Sequence, residues 1–102
     1  MVYVDSLKSC IPNKNWKYNE SCHLFADSIE ELHAFASRIG LRRSWFQNSS
    51  KLPHYDLTRA RRIRAVKNGA IEVSNKFLVD FMWARKQSLA EQGQEEKNFA
   101  GL

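Results

Sequence analysis

Ser28-Ile29-Glu30-Glu31-Leu32-His33-Ala34-Phe35-Ala36-Ser37-Arg38-Ile39-Gly40 is the stretch that decides the fold. Ser28 with Glu31 three residues on is a capping box: the serine side chain accepts a helix amide and the glutamate reaches back. Ile29, Leu32, Phe35, Ala36 and Ile39 recur at helical spacing, and Gly40 supplies the stop. The spacing predicts a helix over 28–39. On its N-terminal side, Val2-Tyr3-Val4-Asp5 reads as a short strand, rich in β-branched and aromatic residues. Residues 6–26 contain Pro12, Trp16 and several Asn and Lys, and read as a long irregular segment. A loop of that length inside a compact domain is usually functional or mobile.

On the C-terminal side, residues 41–47, with Trp45 and Phe46, are expected as a second strand. Residues 48–53 are expected as a loop, with Pro53 biasing Leu52 to an extended conformation, and His54, Tyr55 and Asp56 as the loop that leads into the second helix. Asp56 or Thr58 can cap a second helix that carries Ala60, Ile63 and Val66 and stops at Gly69. Ala70-Ile71-Glu72-Val73 reads as a third strand. Ser74 or Asn75 caps a third helix over about 75–90, and residues 91–102 read as a flexible polar tail. The order βαβαβα points to an α/β fold: a small single-domain sandwich over 1–90 with a short, mostly parallel three-stranded sheet. An antiparallel edge strand is compatible with the same pattern.

A chain of 102 residues is one domain. Its 43% hydrophobic and 12% aromatic content excludes wholesale disorder. No run approaches the ~20 apolar residues that span a bilayer. The first five residues lack the basic start and apolar core of a signal peptide. The expected location is therefore the cytoplasm, with no membrane partner. Cys10 and Cys22 are too few for a disulfide framework. The formal net charge is +5, and five cations fall within residues 59–67. Such a block suits phosphates, nucleic acid or an acidic partner, or simply forms a solvated helix face.

In parallel α/β sheets, ligands bind beyond the carboxyl ends of the strands. That rule gathers Asp5, His23, Asp27, Gln47, His54, Tyr55 and Asp56 at one edge and leaves His33 out. Two imidazoles with two or three carboxylates suit a divalent metal, with Asp5 and Asp27 joining His23 and His54 as ligands. They also suit metal-free acid–base work, with Asp orienting His. The bland reading of each residue is a helix cap or a packed loop side chain. Arg59, Arg61 and Arg62 sit in the first turns of the second helix, where cations oppose the macrodipole unless an anion is present. Zinc through both cysteines with His23 and His54 is a weaker reading, because the cysteines are twelve apart. A Cys22 nucleophile is equally weak, because adjacent residues in an extended segment point apart.

The segments Val2-Tyr3-Val4-Asp5, Cys22-His23-Leu24-Phe25-Ala26-Asp27, Arg43-Ser44-Trp45-Phe46-Gln47, Pro53-His54-Tyr55-Asp56-Leu57 and Ala65-Val66-Lys67-Asn68-Gly69-Ala70-Ile71-Glu72-Val73 together resemble the domain of unknown function 4031 family, small proteins of bacteria and their phages. The resemblance covers roughly residues 2–80. It implies that Asp5, His23, Asp27, Trp45, His54, Asp56 and Arg62 belong to a shared pattern, and, for a phage-encoded member, a location in the host cytoplasm. The chain departs from the pattern in a longer, more basic first loop and in Asn75-Lys76-Phe77 where Trp-Arg-Glu is usual.

The first functional expectation is a phosphoester-directed hydrolase acting on a nucleotide or nucleic acid. His23, His54 and Asp56 would carry the chemistry, and Arg59, Arg62, Trp45, Gln47 and Tyr55 would bind substrate. The second is a non-catalytic binder of a nucleotide or nucleic acid through charge and aromatic stacking. The third is a protein–protein module. The helix at 75–90 carries Val79 and Trp83 beyond the arc that one core contact needs, so a homodimer through that face is also expected.

Overall fold

A computed structural model describes the backbone of residues 1–100 and the side chains of residues 1–88. The elements are β1 (Val2–Val4), β2 (Lys8–Ser9), β3 (Glu20–Ala26), α1 (Ile29–Arg38), one 3-10 turn (Arg43–Trp45), β4 (Gln47–Asn48), β5 (Pro53–Leu57), α2 (Arg59–Lys67), β6 (Ile71–Glu72) and α3 (Asn75–Ala100). The fold is α/β, as expected, but the sheet is larger and mixed. Its order is β4-β5-β3-β1-β6, with β2 pairing with β3. Only β1 and β6 pair in parallel. The β1/β3, β2/β3, β3/β5 and β4/β5 pairs are antiparallel. β1, β5 and β6 nonetheless run in one direction, because β5 is reached from β1 through two antiparallel pairings.

Two of the expected loops are strands. The segment expected to be irregular over 6–26 holds β3, the central strand. Its side chains alternate: Cys22 and Leu24 are buried on one face, His23 and Phe25 point to the other. β5 likewise alternates as Pro53, Tyr55 and Leu57 inward, with His54 and Asp56 only partly covered. Proline is tolerated there because it is the first residue of the strand. The strand expected at 41–47 is instead a 3-10 turn followed by the two-residue β4.

The helices follow their sequence signals more closely. Ser28 Oγ accepts the Glu31 amide at 3.2 Å, while the Glu31 carboxylate pairs with the N-terminal ammonium at 2.7 Å rather than closing the capping box. Gly40 and Gly69 adopt φ of +83° and +104°, the left-handed conformation that ends α1 and α2. Thr58, not Asp56, caps α2, its Oγ1 accepting the Arg61 amide at 3.3 Å. α3 continues past the expected end near 90. The tail expected at 91–102 lies outside the residues whose side chains are described.

The sheet separates two apolar clusters. On one face Val2, Val4, Leu24, Tyr55 and Leu57 pack against Leu32, Phe35, Ala36 and Ile39 of α1 and Ala65 of α2. Each of the valine, leucine, isoleucine and phenylalanine side chains among them, fully buried, contributes ~1.5–3 kcal/mol. On the other face Tyr3, Phe25 and Leu52 meet Leu78, Phe81 and Met82 of α3. Val79 and Trp83, expected at a dimer face, are 40% and 57% exposed. Among the described residues, no helix is long and apolar enough to cross a membrane.

Candidate functional site

The site lies on the α3 face of the sheet, beside the cluster that α3 covers. Strand alternation puts Asp5 on the same face as Tyr3, His23 on the same face as Phe25, and His54 with Asp56 on the next strand. The β3/β5 register pairs His23 directly with Asp56. The His23 and His54 rings meet edge to face, with centroids 4.9 Å apart. One ligand atom each from His23, His54 and Asp56 falls within 4.8 Å of the other two.

Both imidazoles have one nitrogen committed. His23 Nδ1 lies 2.8 Å from Asp5 Oδ2, and the His23 amide donates to Asp5 Oδ1 at 2.6 Å. His54 Nδ1 lies 2.6 Å from the Leu52 carbonyl. A carbonyl only accepts, so His54 Nδ1 carries the hydrogen and Nε2 faces Asp56 Oδ1 at 3.4 Å. Asp5 is an ionised acceptor, so His23 Nδ1 donates as well and its Nε2 is the free nitrogen. Orienting one ring nitrogen so that the other can ligate is what second-shell partners do in metal sites. Gln47 Nε2 donates to Asp56 Oδ2 and fixes that carboxylate.

The electrostatics agree with these bonds. Asp5 is fully buried. Burial alone would raise its carboxyl, but the hydrogen bonds from the His23 ring and amide outweigh it and hold the group below its ordinary value. Asp56 is likewise lowered: burial raises it, and His54, then His23 and Gln47, overcome that. His54 is raised above the usual imidazole value. Burial lowers it, and the Asp56 carboxylate and the Leu52 carbonyl more than compensate. Both shifts favour a positive charge beside the Asp56 carboxylate.

Other residues expected at this edge are elsewhere. Asp27 lies four residues beyond His23, ~13 Å along an extended chain. It binds the N-terminal ammonium at 2.9 Å and the Tyr3 hydroxyl at 3.0 Å, so it is not a metal ligand of this site. Asp5 stands behind His23 as its orienting acceptor instead of beside it as a ligand. Tyr55 is 1% exposed on the opposite face, with its hydroxyl 2.8 Å from His33 Nδ1, and cannot reach a substrate. Arg59 forms a two-point pair with Glu20. Arg62 is committed to the frame: its Nε donates to the Asp5 carbonyl and its Nη1 to Glu72, both at 2.9 Å. These pairs offset the macrodipole mismatch of the arginine-rich first turn with side chains, so neither Arg59 nor Arg62 needs a bound anion. Cys22 is 1% exposed with its thiol pushed up to about 12 by burial, which removes both cysteine readings.

Residues 2–85 match the family described as a protein of unknown function, DUF4031. The chain belongs to that family. No curated protein and no solved structure matches it. Within the matched span of this family member lie Asp5, His23, His54, Asp56 and Arg62, the whole of the site and its frame.

A cleft of about 540 Å³ adjoins the site, with Asp56 and Gln47 in its lining. Its basic lining residue from α2 is Arg61, one of the three arginines that the sequence places in the first turns of that helix. Its other wall comes from residues 13–18, the loop that precedes β3.

Proposed function

We propose that the protein is a metal-dependent phosphoester hydrolase, with His23, His54 and Asp56 as the residues that hold a divalent ion. The observation that carries this reading is the convergence of two imidazoles and one carboxylate, each imidazole with Nδ1 tied to an acceptor. Three protein donors are the number found in catalytic zinc sites, which keep a position for water or substrate. An imidazole-rich set suits zinc or another first-row transition ion better than magnesium or calcium, which prefer all-oxygen ligands. When bound, such an ion supplies a Lewis acid for a phosphoryl oxygen and lowers the pKa of water toward ~7.

The chain's own residues do the rest. Asp5 orients the His23 ring, the Leu52 carbonyl orients the His54 ring, and Gln47 orients Asp56. Arg62 holds the end of β1 against β6 so that Asp5 stays in place. Arg61, Lys14 and Lys17 line the adjoining cleft and favour an anionic substrate. The reaction adds water across a P–O ester bond. The water oxygen bonds to phosphorus, the ester oxygen leaves, and it takes up a proton.

The test is turnover of bis(4-nitrophenyl) phosphate and of short oligonucleotides by the purified protein, with and without zinc or manganese. Metal-dependent release that is abolished by chelation and falls at least a hundredfold in His54→Ala and Asp56→Asn supports the reading. Equal turnover by those variants, or none on any phosphoester with metal supplied, overturns it. Turnover that survives chelation but not His54→Ala replaces the metal with acid–base work by His54.

A further inference from the structure

The cleft beside Asp56 has the composition of a site for one nucleotide unit, a flat base with its phosphate. Trp45 sits on the 3-10 turn, belongs to neither core cluster and is 39% exposed. Its ring carries the Arg61 guanidinium at 4.7 Å and the Arg42 guanidinium at 5.8 Å. An indole left in solvent among guanidinium groups is a stacking platform for a base with cations placed for its phosphate.

The facing wall is built, not slack. Asn13 Oδ1 accepts the amides of Asn15 and Trp16 at 2.8 and 3.0 Å, closing the loop on itself. Trp16 Nε1 donates to the Glu20 carbonyl at 3.2 Å, which ties the loop to β3. The Tyr18 ring meets Trp16 edge to face at 5.1 Å. A cleft of about 540 Å³ is within the ~300–1,000 Å³ usual for small-ligand sites.

Charge selects the phosphate side. Lys14, Lys17 and Arg61 line the cleft against the single carboxylate of Asp56. Arg59 and Arg62 are paired with Glu20 and Glu72. Of Arg59, Arg61 and Arg62, Arg61 is the one without a carboxylate partner among the described residues, and its guanidinium lies over Trp45 in the lining of the cleft.

We infer that this cleft binds a single unstacked nucleotide, with the base on Trp45 and the phosphate held by Arg61 with Lys14 and Lys17. The inference rests on the hydrolase reading only in taking the Asp56 end of this cleft as the place where a bound phosphate would meet an ion when one is supplied. Base and phosphate can come from a free mononucleotide or from one residue of a single strand. A base on Trp45 cannot remain paired and stacked in a duplex, so duplexes are excluded.

The test is anisotropy of a fluorescently labelled six-residue oligothymidylate on the full chain, in chelator and at low salt. Competition uses thymidine monophosphate and an unlabelled duplex. Trp45→Ala is expected to weaken binding about tenfold or more, the usual cost of losing one stacked base. Trp45→Phe is expected to recover most of it, and Arg61→Gln to weaken binding and flatten its salt dependence. Trp83→Ala, at a more exposed tryptophan on α3, is expected to bind as the parent does. Competition by the monophosphate at matching affinity identifies a free nucleotide as the occupant, and competition only by single strands identifies a strand; either upholds the site. Absence of binding, binding unchanged in Trp45→Ala, or a duplex that competes as well as the single strand overturns it. Because chelator is present throughout, binding is read apart from turnover, and Trp45-dependent binding here with no turnover when zinc or manganese is supplied leaves the nucleotide site standing while the hydrolase reading falls.

Discussion

The α3 face of the sheet has two halves built from the same strands and opposite in character. Tyr3 and Phe25 lie under Phe77 and Phe81, with ring centroids 5.0–5.9 Å apart, and that half is packed and apolar. Two residues further along the same strands, Asp5 replaces Tyr3 and His23 replaces Phe25, and α3 does not cover them. His54 and Asp56 complete the uncovered half from β5. One half therefore holds the helix on the sheet, and the other is free to hold an ion and a substrate. A polar cluster persists beside an apolar one because each buried polar atom has a partner. Asp5, with no exposure at all, accepts from both the His23 ring and its amide.

The largest effect that should separate the halves is on stability. Phe25→Ala empties the covered half and is expected to cost ~3–5 kcal/mol in urea unfolding. His54→Ala, in chelated protein, is expected to cost only about 1 kcal/mol while removing the thermal stabilisation that added zinc gives the parent. Equal losses from the two would mean that the polar half is structural core. Asp5→Ala sits between them. It leaves the His23 amide and ring nitrogen without their acceptor, for ~1–3 kcal/mol of stability. It also frees the ring to turn, for a ~10–100-fold loss of metal affinity. Asp5→Asn keeps an acceptor and is expected to recover part of both.

The smallest effect is on pH dependence in chelator. Asp5 and Asp56 are held below their ordinary values, so their contribution is present above the unfolded carboxylate pKa of ~3.9 and is lost as pH falls through the lower folded values. His54 is raised, so its contribution is complete below ~6.5 and is lost as pH rises through the higher folded value. Stability from this half is therefore greatest between ~4 and 6.5. His54→Gln should flatten the alkaline limb and shrink the part of the acid limb that Asp56 owes to His54, leaving the part from Asp5, which a series of melts across pH will show.

The helices were legible in the chain because their signals are local. Ser28, Thr58, Gly40 and Gly69 mark ends through their own backbone chemistry, and the periodicity of Leu32, Phe35, Ala36 and Ile39 needs no partner strand. β3 and β5 were not, for opposite reasons. Cys22-His23-Leu24-Phe25-Ala26 is a short, nearly unbroken apolar run, the mark of a buried central strand, but it sits at the end of a polar stretch that reads as loop. Pro53-His54-Tyr55-Asp56-Leu57 alternates strictly, the mark of a half-buried strand, and the opening proline obscured it. The rule brought His23, His54 and Asp56 together all the same, because β1, β5 and β6 share a direction even though most pairings are antiparallel. It admitted Asp27 and Tyr55 wrongly. Asp27 lies at the far end of β3 once that segment is a strand, and Tyr55 alternates away from His54 and Asp56. The pairing of Arg59 with Glu20, 39 residues distant, leaves no trace in spacing, so only the folded chain separates it from Arg61.

The most direct measurement is isothermal titration of zinc into protein stripped of metal, run beside His23→Ala, His54→Ala and Asp56→Asn. The expected result is one ion per chain in the parent and at least a tenfold loss of affinity in each variant. No binding by the parent, or binding undiminished in all three variants, would contradict the assignment of His23, His54 and Asp56 as a metal site.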